Sequence, residues 1–190
     1  MRYARGALDA DTPMAEELIL PESADRAELY AALLPQLAAL VEGECNRVAN
    51  LANAAAVLHT ALGSLWTGFY IAEETSLVLG PFQGPIACTR ILLKPAPKGV
   101  CGAAWKQRHT VVVPDVDAFP GHIACSSLSR SEIVVPLIVG ASVVAVLDID
   151  SAELDAFGEE DVAGLEAVCA LLAQDWDQAA TATAANDGLN

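Results

Sequence analysis

The stretch SEIVVPLIVGASVVAVLDIDS, residues 131–151, decides the fold. Its apolar run from Ile133 to Leu147 is 15 residues long, contains Pro136 and Gly140, and is bracketed by Glu132 and Asp148. A membrane-spanning helix needs about 20 apolar residues. The run is better read as two short strands joined at Val139-Gly140-Ala141-Ser142. A hairpin requires antiparallel pairing. On the second strand Asp148 and Asp150 are two apart and share a face, while Leu147 and Ile149 take the other. Two carboxylates on one face of so apolar a strand are costly unless something compensates them. A substrate ammonium would do so. The alternative is that Asp150 caps the following turn and Asp148 faces water.

Working outward, Leu29, Leu33, Leu37, Leu40 and Val41 recur at helical spacing after an entry at residues 23–26. Pro35 lies inside that run, as a kink or a shifted start, and Gly43 stops it. A second helix carries Val48, Leu51, Ala55, Leu58 and Leu62 on one face and ends at Gly63-Ser64. Strands are expected at 66–71, 77–82, 88–93 and 110–113, with a short helix at about Cys101–Gln107. A final helix opens near Phe157, its stripe being Val162, Leu165, Val168, Leu171 and Leu172. The order gives an α/β layer protein: an antiparallel sheet of about six strands with the N- and C-terminal helices on one face. Residues 1–25 are expected as an extension, 26–175 as the domain and 176–190 as a tail.

Ten basic against twenty-five acidic residues give a net charge of −15. Such a surface repels phosphate backbones and anionic lipid, which argues against nucleic-acid and membrane partners. The N-terminus has no apolar signal core, and five cysteines are an odd number for a secreted disulfide framework. Both features point to the reducing cytoplasm.

Cys88, Cys101 and Cys125 fall within 38 residues, each in a turn-like context: PFQGPIAC (81–88), PKGVCG (97–102) and FPGHIAC (119–125). Cys169, in the stripe of the last helix, and Cys45, among Glu42, Glu44 and Asn46, read as filler. Thiols near carboxylates point to sulfur redox chemistry on a positively charged small molecule. Local physics does not select Cys125 over Cys101 as the nucleophile, because a cysteine at a helix start is favoured as thiolate. His122 and Cys125 are three apart, but without a CxxC pair no metal site is expected. Trp66 and Tyr70 share a strand face, as an aromatic pocket wall or as ordinary sheet packing.

These words resemble the GAF fold, and more specifically the free methionine-R-sulfoxide reductases. The resemblance rests on segments 65–70, 79–88, 99–102, 119–125, 131–137 and 147–151, within about residues 26–175. It implies a thioredoxin-dependent oxidoreductase that returns free L-methionine (R)-S-oxide to methionine, repairing oxidative damage with no cofactor. It implies Cys125 as the attacking cysteine, Cys88 as the resolving one and Cys101 in an auxiliary redox role. It also implies that Glu132, Asp148 and Asp150 hold the substrate's amino end beside Trp66 and Tyr70. A homodimer through the terminal helices is a further implication. The chain departs from the family pattern in a link between Cys88 and Cys101 about three residues longer, and in Ser126 where an acid is common. Competing readings are a GAF small-molecule sensor and a thiol redox sensor without turnover.

The chemistry itself is set by sulfur. A thiolate attacks the sulfoxide sulfur as the oxygen is protonated, leaving a thioether and an enzyme sulfenic acid. A second thiol condenses with the sulfenic acid, and an external dithiol reduces the disulfide. One carboxyl of the acid cluster, kept protonated by its neighbours, is the expected proton donor.

Overall fold

The computed structural model describes residues 18–21, 25–123, 126–174 and 176. The readings placed on the first 17 residues, on Cys125 and on residues 177–190 lie outside them.

Helix α1 (Arg26–Val41) begins where Asp25 accepts from the Glu28 amide and the Glu28 side chain accepts from the Asp25 amide, a reciprocal cap. The helix runs through Pro35. Gln36 also donates to the carbonyls of Ala32 and Ile19 and accepts from the Ile19 amide, so it ties down the incoming chain. Asn46 caps α2 (Arg47–Leu62) through the amides of Val48 and Ala49. Gly63, at φ 61°, closes it in the left-handed region that suits glycine. The buried face of α2 is Leu51, Ala54, Ala55 and Leu58. Val48, expected on that face, is instead 65% exposed, because the cap at Asn46 sets the helix entry so that the second helical residue faces solvent.

Strands β1 (Trp66–Ala72), β2 (Ser76–Gln83), β3 (Arg90–Leu92), β4 (Val111–Val113), β5 (Ser131–Val139) and β6 (Ser142–Ser151) form one sheet, ordered β3-β2-β1-β6-β5-β4. Every pairing is antiparallel. Helix α3 (Gly99–Gln107) lies between β3 and β4 in the chain, and α4 (Glu159–Gln174) follows β6.

The sheet has two apolar sides with different tasks. On one side Phe69, Ile133, Val135, Leu137, Leu147 and Ile149 pack against α1, α2 and α4. Here α1 and α4 cross at Gly164, where a Cβ would fall within the Tyr30 ring. Tyr30 Oη donates to buried Asp161 at 2.9 Å, which also accepts from the Gly158 amide at the head of α4. This core includes Trp176, with the Arg47 guanidinium 4.4 Å from its ring, so packing reaches one residue into the segment read as a tail. On the other side Trp66, Tyr70, Val134 and Val146 pack against α3, through Val100, Cys101 and Ala104. The period-2 parity of β1, β5 and β6 thus sends hydrophobes to the helical layer and leaves the opposite face for the groups described next.

Candidate active site

Register places the acids. Across the sheet Trp66 on β1 is paired with Asp150 on β6, and Asp150 with Glu132 on β5. In the next row Gly68 pairs with Asp148 and Asp148 with Val134. Both aspartates are therefore on the face away from Leu147 and Ile149, as their spacing requires. The reading in which Asp148 faces water does not hold, since it is 7% exposed. A cleft opens over this face, enclosing about 520 Å³ of non-atom space including the solvent at its mouth. Its walls are Trp66 and Tyr70, residues 85–87, His122, Ile123 and Ser126, and its floor is Cys101, Glu132, Asp148 and Asp150.

The aromatic wall is built by contact within the sheet. Trp66 stacks on Tyr70 with centroids 5.9 Å apart and on Phe82 at 5.5 Å. Its indole N–H donates to the Pro85 carbonyl at 3.1 Å, and Tyr70 Oη donates to the Cys88 carbonyl at 3.1 Å. These two bonds hold the loop that leads to Cys88 over the cleft. Gly68 is what lets the indole lie flat, because a Cβ there would collide with the Trp66 ring and with Phe82. The glycine in the Trp-Thr-Gly-Phe-Tyr word was legible only as a letter; its task depends on the rotamer of its neighbour.

Helix α3 brings Cys101 onto the floor. The thiol is buried and donates to Asp148 Oδ2 at 3.3 Å. The expectation that a helix start would favour its thiolate is overturned. Burial pushes the thiol well above its ordinary range, and the neighbouring Asp148 and Glu132 carboxyls push it further. The helix dipole, worth about 0.3–1 kcal/mol at an exposed terminus, is outweighed. Cys101 is held as a thiol.

The three acids are too close to be ionised together in a dry floor. Burial, then the charge of Asp150, moves Glu132 up to about 8. Burial, then Glu132 and Asp150, raises Asp148 well above the carboxylate range. Asp150 is raised by burial but relieved by the Ser129 hydroxyl, which donates to Oδ1, and by the charge of His122. His122 Nε2 lies 3.5 Å from Glu132 Oε2, with 14% of its side chain exposed. With both acids ionised, neither Glu132 nor Asp148 can donate, and Asp148 Oδ1 is buried without a hydrogen-bond donor. A buried acceptor left so is expensive, and a proton shared between the two acids or an entering cation relieves it.

Sequence reasoning left His122 without a role and did not single out Ser129. Both reach the acids from the segment between β4 and β5, a proximity no periodicity encodes. Cys88 is half-buried on the loop behind Tyr70. Cys45 is exposed and Cys169 is buried in the helical core. Among the described residues, Cys101, Glu132 and Asp148 alone bring three metal-capable atoms together, within 4.8 Å of one another. No described helix is long and apolar enough to cross a membrane.

The GAF domain family model matches residues 46–174. The chain is 51% identical over 160 residues to GAF domain-containing protein A of Dictyostelium discoideum, covering 84% of this chain and 99% of that protein. It is 46% identical over 149 residues to the free methionine-R-sulfoxide reductase of Escherichia coli, covering 78% of this chain and 88% of the relative. The structure is similar to that of the free methionine-R-sulfoxide reductase of Neisseria meningitidis in complex with its substrate. The TM-score is 0.82 at 48% identity, over 87% of this chain and 99% of that one. Fold and relatives agree, and the chain belongs to the GAF-domain family of free methionine-R-sulfoxide reductases.

Proposed function

We propose that this chain reduces free L-methionine (R)-S-oxide to L-methionine. The observation that carries the reading is the cleft floor: buried Glu132 and Asp148 beside half-buried Asp150, one with an oxygen that lacks a donor, beneath a stacked aromatic wall. An α-ammonium supplies the missing donor and the missing positive charge. The apolar indole and phenol faces suit the methyl-sulfinyl end. A peptide-bound residue has no α-ammonium to offer, so the free amino acid is preferred.

In this reading Cys125 attacks the sulfoxide sulfur as thiolate. The sulfoxide oxygen leaves the substrate bound to Cys125 as a sulfenic acid, and the sulfur departs as a thioether. Glu132, whose proton is retained to about pH 8, is the acid placed to protonate that oxygen. Cys88 then condenses with the sulfenic acid and water leaves. The Cys88–Cys125 disulfide is reduced by thioredoxin, two electrons per turnover. Cys101, held as thiol by Asp148, has the auxiliary part. The cycle calls for no bound cofactor and belongs in a reducing compartment such as the cytoplasm. We assign the catalytic domain to residues 26–175, with extensions on either side, and a homodimer as its state.

The test is methionine release from free and peptide-bound sulfoxides of both epimers with a thioredoxin system. Turnover is expected for the free R epimer and its loss in Cys125→Ser. Turnover that survives in Cys125→Ser, or equal rates on peptide-bound substrate, contradicts the reading.

A further inference from the structure

The donor set on the cleft floor has a second chemical competence. Cys101 Sγ, a Glu132 oxygen and an Asp148 oxygen converge within 4.8 Å of one another, all buried. Cys101 Sγ and Asp148 Oδ2 are 3.3 Å apart. Zinc–sulfur and zinc–oxygen bonds of about 2.3 and 2.0 Å at a tetrahedral angle place their ligand atoms about 3.5 Å apart, close to that spacing. Coordination by all three donors requires the Glu132 carboxyl to rotate toward Cys101. A second observation is Asp148 Oδ1, buried without a hydrogen-bond donor in a residue that lines the cleft and is only 7% exposed. Neither acid has a lysine or arginine partner among the described ion pairs; the nearest basic group is His122, beside Glu132.

We propose that the floor is a binding site for a thiophilic divalent cation, Zn2+ or Cd2+, held by Cys101, Asp148 and Glu132 with a fourth position open toward the cleft. The cation takes a thiolate from Cys101, whose proton leaves to solvent, and no electrons are transferred. Thiolate and carboxylate donors together select Zn2+ over Mg2+ or Ca2+, which prefer oxygen alone. Such a cation is not a resident cofactor but a reversible inhibitor. It occupies the place of the substrate ammonium and sequesters Cys101. Only this competition rests on the functional reading above; the coordination itself does not.

The full chain, reduced and stripped of metal, is titrated with Cd2+ alone, following the ultraviolet thiolate-to-cadmium charge-transfer absorption. Zn2+ affinity is read by competition with a chromogenic chelator. One site per chain is expected, retained in Cys45→Ser and in the Cys88→Ser/Cys125→Ser double variant. Affinity should fall at least tenfold in Cys101→Ser and in Asp148→Asn. The latter is close to isosteric and relieves the crowding of acids, so it keeps the test open if Cys101→Ser fails to fold. Absorption that persists in both variants, or that disappears with Cys45 or with the Cys88/Cys125 pair, marks adventitious thiol binding and overturns the proposal. With free methionine sulfoxide as substrate, Zn2+ should raise KM with kcat unchanged and be reversed by chelator. Inhibition that lowers kcat alone overturns the competition. A protein that binds Cd2+ through Cys101 but turns over no sulfoxide would overturn the functional reading and leave this assignment standing.

Discussion

Cys101 and Asp148 meet across 47 residues of chain, the thiol donating to Oδ2 at 3.3 Å on the floor of the cleft. The bond fixes the sulfur as donor and the carboxyl as acceptor. The other carboxyl oxygen, Oδ1, is buried without a hydrogen-bond donor.

The first consequence concerns reactivity. A buried thiol beside carboxyls is a poor nucleophile, because alkylation proceeds through the thiolate. Timed labelling of the reduced protein with iodoacetamide at pH 8, read by mass spectrometry, should modify exposed Cys45 well before Cys101 and Cys169. Labelling of Cys101 as fast as Cys45 would show that its sulfur is not held in this way.

The acid cluster makes stability depend on pH with a definite sign. The folded state keeps a proton on Glu132 up to about pH 8, whereas the unfolded chain releases it near 4.5. The folded state therefore binds more protons in this window, and stability falls as pH rises from about 4.5 to 8. Asp148, raised for the same reason, adds to the fall. Thermal unfolding of the ligand-free reduced protein should show a midpoint decreasing from pH 5 to pH 9, with a shallower decrease in Glu132→Gln. Parallel curves for the two proteins would remove Glu132 from the explanation. In kcat/KM the same proton gives a falling limb near pH 8 that Glu132→Gln lacks.

Charge on the floor should appear in substrate affinity. A hydrogen bond to a charged group contributes about 1.5–3 kcal/mol, roughly 10- to 150-fold in binding. Asp148→Asn and Asp150→Asn should each raise KM by that order. Ser129→Ala, which frees Asp150 without removing its charge, should raise it less. Steady-state kinetics on free methionine sulfoxide separates these. An unchanged KM in both aspartate variants contradicts the ammonium site.

The scaffold can be tested apart from the chemistry at Gly164. Replacing a helical glycine by alanine ordinarily stabilises by up to about 1 kcal/mol. Here the added methyl enters the Tyr30 ring, so overpacking of about 1–3 kcal/mol should win. Denaturant unfolding of Gly164→Ala should give lower stability while kcat/KM stays near wild type. A stabilised variant would mean that α1 and α4 do not cross so closely.

Much of this was legible because its determinants are local. The parity of Asp148 and Asp150 against Leu147 and Ile149, the hairpin around Gly140 and the stripe of α4 follow from fixed periods. The cysteine contexts carried a family likeness that the relatives bear out. Three features were not legible. The state of Cys101 depends on which strand α3 lies upon, and burial among acids reversed the expectation from its place in the helix. Ser129 and His122 reach the acids from an irregular segment, where no periodicity fixes direction. Val48 fits the apolar spacing of α2 yet faces water, because the Asn46 cap sets the helix entry.

The claim that the buried acids exist to hold an α-ammonium is tested most directly by one comparison. It is kcat/KM for free L-methionine (R)-S-oxide against its N-acetyl derivative, which keeps the sulfoxide and replaces the α-ammonium with a neutral amide. At least a 100-fold preference for the free amino acid, the scale set by about 2.7 kcal/mol of charged hydrogen bonding, is the expected result. Equal rates on the two would contradict it.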